Sequence, residues 1–257
     1  MNYLTRHATL REQPELLLPG VKTILVAALR HAPTASPGYA AYAAGADYHA
    51  VIRTRLQPLA DLIRSRAPEA RTRIAVDSAP VAERDWAMRC GIGWRGRQGQ
   101  VLNAEAGAHL LLGEILTTVE LPPTPPVENR CGECRLCVDA CPTGALQADG
   151  TVDARLCRSY WTIEHRGPIP ESVRASIGDC LFGCDRCVSI CPWNARATAP
   201  IPPEFTPRDL PPVEVCLTLD AAGFTERFGD SAVLRTGLDG LQRNARIVMD
   251  NQRPTPP

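Results

Sequence analysis

Apolar and polar positions along this chain follow two periods, and the changes between them predict its elements. Residues 21–29 (VKTILVAAL) are almost wholly apolar and lie between Pro19-Gly20 and His31-Ala32-Pro33, which predicts a buried strand. In 48–65, Val51, Ile52, Leu56, Leu59, Leu62 and Ile63 recur near the helical period despite Pro58. Residues 71–77 (RTRIAVD) alternate as a short strand ending on Asp77, and 80–89 predict a helix with proline in its first turn. Residues 100–103 and 108–119 predict further strand, after a glycine-rich turn at 90–96. Pro122, Pro123, Pro125 and Pro126 mark a stiff linker and a domain boundary. Residues 200–212 predict a second extended linker, followed by helices over 218–228 and 241–249.

The stretch between the linkers follows neither period and is governed by cysteine. Cys131, Cys134, Cys137 and Cys141-Pro142 have the spacing C-x2-C-x2-C-x3-C-P, which bacterial ferredoxins use for [4Fe–4S] clusters. Cys184, Cys187 and Cys191-Pro192 repeat it without the first cysteine, and Cys157 lies between the blocks. Two clusters need eight thiolates, so Cys157 completes the set. The fourth cysteine of each block reaches the neighbouring cluster. This assigns Cys131, Cys134, Cys137 and Cys191 to one cluster, and Cys141, Cys157, Cys184 and Cys187 to the other. Structural zinc favours paired C-x2-C knuckles without C-P endings. Disulfides require an oxidising compartment.

Composition adds bounds. A chain of 257 residues with 44% hydrophobic content can bury one large core or two modest ones. Zero formal net charge excludes a global field for nucleic acid. Within 53–97, however, ten arginines face five acids, a local excess suited to phosphate or to a solvated helix face. No apolar leader, twin-arginine pair or membrane-length apolar run is visible, so a cytoplasmic protein without a membrane partner is expected. Cys90, Cys180 and Cys216 fall outside the ligand set and read as small buried residues, Cys180 being a spare ligand at most.

Several ordered motifs carry a resemblance. They are Gly45-Ala46-Asp47-Tyr48-His49, Val76-Asp77-Ser78-Ala79-Pro80-Val81-Ala82-Glu83-Arg84, Gly91-Ile92-Gly93-Trp94, Cys141-Pro142-Thr143-Gly144-Ala145, Ser159-Tyr160-Trp161-Thr162-Ile163-Glu164 and Gly183-Cys184-Asp185. Together they resemble the epoxyqueuosine reductase family over nearly the whole chain. The resemblance implies an α+β protein in three parts. Residues 1–121 would be an α/β cobalamin-binding catalytic domain, similar to reductive dehalogenases and nitroreductases. Residues 127–198 would be a double [4Fe–4S] ferredoxin-like domain, and 199–257 a proline-rich linker with a small helical appendage.

The implied activity is reduction of epoxyqueuosine to queuosine at the tRNA wobble position. No side chain supplies electrons for removing an epoxide oxygen; a corrin refilled by clusters does. The resemblance makes Asp77 the proton donor to that oxygen, with a pKa expected to be raised by burial. Without it, Asp77 reads as the cap of the helix expected from Pro80. Gly93, Val101, Leu112 and Ser159 are the implied corrin contacts, and His49 a structural neighbour of the site. Glu83 and Arg84 read as an internal ion pair. Arg158, His165 and Arg166 are candidate tRNA contacts. An external flavodoxin- or ferredoxin-type donor and a monomeric state are expected. The chain departs from the family at Gly96-Arg97-Gln98, where Gly-Lys-Asn is usual, and at Ala41, where Arg is usual. It is also shorter at both ends, with Arg243-Asn244-Ala245-Arg246 resembling the start of a C-terminal RNA domain. A plain electron-transfer protein and a corrin reductase of another small molecule are the competing readings.

Overall fold

The computed structural model describes residues 5–147 and 149–253. The outermost residues of the expected segments 1–121 and 199–257 lie outside these. After a short helix α1 (Ala8–Glu12), the apolar run forms strand β1 (Thr23–Arg30). With β2 (Thr72–Ala75) and β5 (Leu110–Thr117) it makes an antiparallel sheet in the order β1-β5-β2. β5 is central because both its edges are paired, along its full length by β1 and over Ile115 by Ile74 of β2.

Cross-strand neighbours share a face of the sheet. Leu25, Ala27, Leu29, Ile74, Leu111 and Ile115 pack under helix α2 (Tyr48–Arg66) through Val51, Ile52, Leu56 and Ala60. Ile24, Ala75 and Leu116 pack on the other side with Leu17, Leu18, Val81 and Trp86. Pro58 stands on the exposed face of α2, where water can satisfy the carbonyl that its ring leaves unpaired. A Cβ at Gly113 would come 2.4 Å from Ile52 Cγ2, so its absence lets α2 seat directly on β5.

The helix expected from Pro80 starts later, as α3 (Glu83–Arg89), because 78–82 are used as the turn that brings the chain back from β2. β3 (Trp94–Arg95) and β4 (Val101–Leu102) form a small hairpin. In the cysteine region each C-x2-C leads into one helical turn, α4 (Leu136–Asp139) and, after α5 (Glu171–Ile177), α6 (Arg186–Ser189). Between them Tyr160–Glu164 form a π-helical turn.

The C-terminal segment is tied in more closely than a linker and appendage would be. Phe205, inside the expected extended linker, is 2% exposed and fills the core under α2. The helix expected over 218–228 is broken: α7 (Val213–Thr218) ends, and α8 (Ala221–Phe228) restarts with Asp220 capping the Gly223 amide at 2.7 Å. With α9 (Gly237–Gln252), these helices enclose a core that includes Tyr39, Ala43, Leu181 and Phe182 from the two preceding segments. Burial of an aromatic such as Phe182 or Phe228 contributes about 2–3 kcal/mol, so this core is a main source of cohesion. Among the described residues no helix is long and apolar enough to cross a membrane.

Candidate active site and iron–sulfur centres

The structure brings the eight cysteines together in two groups of four. Cys131, Cys134, Cys137 and Cys191 line one cavity of about 250 Å³, together with Arg97, Arg130 and Arg196. In the second tetrad Cys187 is surrounded by Cys184, Cys157 and Cys141, and burial pushes its thiol up to about 12. Among the described residues no three metal-binding side chains close on a single ion. Every cysteine is a free thiol. Outside the tetrads, Cys216 is buried against the Tyr39 hydroxyl at 3.1 Å, and Cys180 is buried beside Asp179 and Arg158.

Asp77 stands just past the end of β2 and is the one non-glycine among the described residues with positive φ, at 43°. Holding an L-residue there costs about 1–2 kcal/mol, so its neighbours must enforce it. Its amide donates to Glu83 Oε1 from the start of α3. Its carboxylate lies 3.2 Å from His49 Nε2 through Oδ2, and the carboxylate also accepts the Tyr48 hydroxyl. The cap reading therefore fails: α3 starts at Glu83 without a side-chain cap. Arg84 donates to the Gly99 carbonyl at 3.1 Å and acts on Glu83 only through its charge, without a direct bond.

His49 Nδ1 is 2.7 Å from Asp47 Oδ1, and Asp47 also caps α2. With a carboxylate at each ring nitrogen, His49 can donate on both sides only as imidazolium, so its pKa is raised, chiefly by the bond to Asp77. The same bond holds Asp77 below the usual carboxylate range, against the opposing effect of burial. The expected upward shift is reversed for this reason. Glu83, half-buried, is pushed up to about 7 by desolvation, while the Asp77 amide pulls it down. Tyr48 stacks on His49 at 4.1 Å and meets Tyr42 edge-on at 6.0 Å.

The site joins the second tetrad through one short link. Asp185, next to Cys184, accepts the Ala41 amide at 2.5 Å, and the following Tyr42 packs on Phe182. Ser159 donates to the Cys184 carbonyl at 3.5 Å. Behind the π turn, Asn244 of α9 is fully buried and donates to the carbonyls of Thr162 and Leu181, both at 2.8 Å. Arg243 donates to the carbonyls of Trp161, His165 and Gly167. In this structure the Arg243-Asn244 pair is thus a clamp on the segment between clusters and active site.

Comparison with known proteins agrees with this geometry. Residues 11–78 match the model of "Epoxyqueuosine reductase QueG, DUF1730", and 130–194 match a 4Fe-4S double cluster binding domain. An epoxyqueuosine reductase of Alicycliphilus denitrificans is 38% identical over 98% of this chain and 75% of its own. That of Escherichia coli K12 is 37% identical over 98% of this chain and 70% of its own. The chain belongs to the epoxyqueuosine reductase family. An epoxyqueuosine reductase crystallised with a tRNA-Tyr epoxyqueuosine-modified stem loop matches at 33% identity and TM-score 0.87, over 93% of this chain and 67% of that one. The Bacillus subtilis epoxyqueuosine reductase matches at 32% identity and TM-score 0.85, over 93% of this chain and 67% of its own. It was captured with its catalytic aspartate loop swung out of the active site.

The remaining candidates of this epoxyqueuosine reductase family member are more dispersed. Val101 is buried in β4 opposite Arg95, and Leu112 is half-buried in β5 opposite Ala28. Gly93 has a local reason of its own, since a Cβ there would come within 1.9 Å of the Leu102 carbonyl oxygen. Arg158 is turned inward, 3.8 Å from Asp179. His165 bonds the Pro168 carbonyl at 3.0 Å, and Arg166 bonds the carbonyls of Ile163 and Arg235 at 2.8 and 2.5 Å. Sequence reasoning missed Tyr42, Glu164 and Arg235. Arg235 makes a two-point pair with Glu164 at 2.8 and 3.0 Å, and its charge reaches Asp77. Nothing in the residues around Arg235 marks it; only the fold brings it there.

Proposed function

We propose that this protein reduces epoxyqueuosine to queuosine in tRNA, with Asp77 delivering protons to the departing oxygen. The observation that carries this reading is the chain Asp47–His49–Asp77. It holds an ionisable carboxyl at a strained, half-exposed loop beside the cluster module. His49 keeps a proton 3.2 Å from Asp77, so the carboxylate can be loaded from behind as it gives a proton forward. The loop displaced in the Bacillus subtilis relative is described there as catalytic, which suits a mobile donor.

The residues present fit a corrin. Both His49 nitrogens are engaged by carboxylates, so His49 would serve the site as a proton-holding neighbour of Asp77. Buried hydrogen-bonding atoms without partners remain at Trp94 Nε1, Gln98 Nε2 and His109 Nδ1, suited to an amide-rich periphery. Val101 and Leu112 would supply apolar contact, Gly93 close backbone approach, and Ser159 a link to the second cluster. When bound, the corrin supplies the electrons that open the epoxide. The chain's own residues place the substrate, hold the protons and bring electrons through the tetrads. An external one-electron donor of flavodoxin or ferredoxin type feeds the first tetrad. His165 and Arg166 are the candidate tRNA contacts, with Arg158 acting from the interior, and the protein works as a cytoplasmic monomer.

Protein reconstituted with cobalamin and clusters is expected to convert epoxyqueuosine-tRNA, scored by nucleoside mass spectrometry. Asp77→Asn is expected to keep both cofactors and lose about a hundred- to ten-thousand-fold in turnover. Unchanged turnover would remove Asp77 from the reaction.

A further inference from the structure

The central strand carries a carboxyl that the reading above leaves unused. Glu114 is wholly buried in the middle of β5, paired with Val26 and Ala75, and neither of its oxygens has a hydrogen-bond partner. It shares the face of Ile24, Ala75 and Leu116, the face covered by α3. A carboxyl without partners in such a place is kept neutral, since an ionised one would be far too poorly solvated. Burial, with the charges of Glu83 and Asp77 close by, pushes it up to about 9. The groups that face it are Glu83 and Asp77 before and at the start of α3, and Cys90 at its end. The cations of the adjoining elements are directed elsewhere, Arg73 to the Leu17 carbonyl and Arg11 to that of Val81.

The chemistry calls for such a group. Deoxygenating an epoxide breaks two C–O bonds, forms one C=C bond and releases water. It consumes two electrons, which the external one-electron donor supplies through the clusters, and two protons. The Asp77–His49 couple shares one proton. A second must reach the same oxygen, and substrate seated over Asp77 would cover the loop from the solvent side. Glu83 holds the Asp77 amide from the start of α3, the helix that packs on β5, and the charge of Glu83 reaches Glu114. We propose that Glu114 and Glu83 form an internal proton store that reloads Asp77, so that the second proton of each turnover comes from inside the protein. This rests on the epoxide-reductase reading and adds to it the source of the second proton.

Infrared titration of the cofactor-loaded protein tests the store without turnover. A protonated carboxyl band is expected at neutral pH, removed by Glu114→Gln and titrating near 9 in the unsubstituted protein. A second component titrating near 7 is expected to vanish in Glu83→Gln. Single turnover of prereduced protein supplies the kinetic arm. At about pH 6 Glu83 is itself protonated, and Glu114→Gln is expected to change the rate little. At about pH 8 the same variant is expected to be about ten- to a hundredfold slower. Absence of the band, or equal rates of variant and unsubstituted protein at both values, would overturn the store. Loss of corrin from Glu114→Gln with the band unchanged would do so too, and reassign Glu114 to cofactor binding. Unsubstituted protein that carries both cofactors and shows the band, yet leaves epoxyqueuosine-tRNA intact, overturns the reductase reading instead.

Discussion

The two cysteine tetrads come from nearly repeated sequence, yet their surroundings differ. The first opens on a cavity rimmed by Arg97, Arg130 and Arg196, with Cys134 exposed. The second is bound into the fold by Ser159, by Asp185 on the Ala41 amide, and by the π turn that follows Cys157. One tetrad thus lies beside an open, arginine-rimmed cavity, and the other is hydrogen-bonded into the segment that leads to Tyr42. On the proposed function, that difference makes the first tetrad the entry for electrons and the second the one that passes them on.

The sharpest way to break this contrast is to remove one thiol from each side. Cys157→Ala is expected to lose about half of the iron and all turnover, because in the proposed path electrons pass through the second cluster to the Asp77 side. Cys134→Ala is expected to lose a similar share of iron while keeping single turnover of chemically reduced protein. Iron content, electron paramagnetic resonance and rapid-quench product assays separate the two. If both variants behave alike, the proposed direction of flow is wrong.

A smaller effect is expected from the clamp behind the second tetrad. Asn244→Ala takes the amide donor from the Leu181 carbonyl and leaves that of Thr162 only the Thr236 hydroxyl, which costs about 1–3 kcal/mol. Denaturant titration should show that loss, with the second cluster becoming labile before the first. Smallest is the change at the rim of the first tetrad. Arg196 stacks on Trp193 at 5.2 Å beside the cavity, and Arg196→Glu is expected to raise KM for an acidic protein donor several-fold. Its kcat with a small chemical reductant should not move. A KM that is independent of salt in both proteins would argue against docking there.

Legibility in the sequence followed the length scale of each interaction. The cluster ligands were readable because C-x2-C-x2-C and C-P are local, and only Cys157 needed counting. Strands β1 and β5 and helix α2 were readable because their apolar periods are long and uninterrupted. Asp77 was found through resemblance alone, since its partner His49 lies 28 residues away and no periodicity links them. Its pKa was read with the wrong sign because burial was foreseen and the imidazolium was not. Glu114 did leave a mark, a single carboxyl within LLLGEILT, which strand reading passes over as one polar position. The role of Arg243-Asn244 could not be read, because it depends on carbonyls of a turn about eighty residues earlier.

The last helices carry a consequence for how the molecule comes into being. Tyr39 finds its partners Pro211 and Cys216 only 172 and 177 residues later, and Asn244 secures Thr162 from 82 residues downstream. Contacts of such long range make for slow folding, since loop closure must precede the energy that rewards it. During synthesis the cysteine loops leave the ribosome well before the helices that steady them. Closure of the largest core therefore belongs to the end of synthesis. Until α9 has been made, the segment between the clusters and the active site lacks the side chains that hold it.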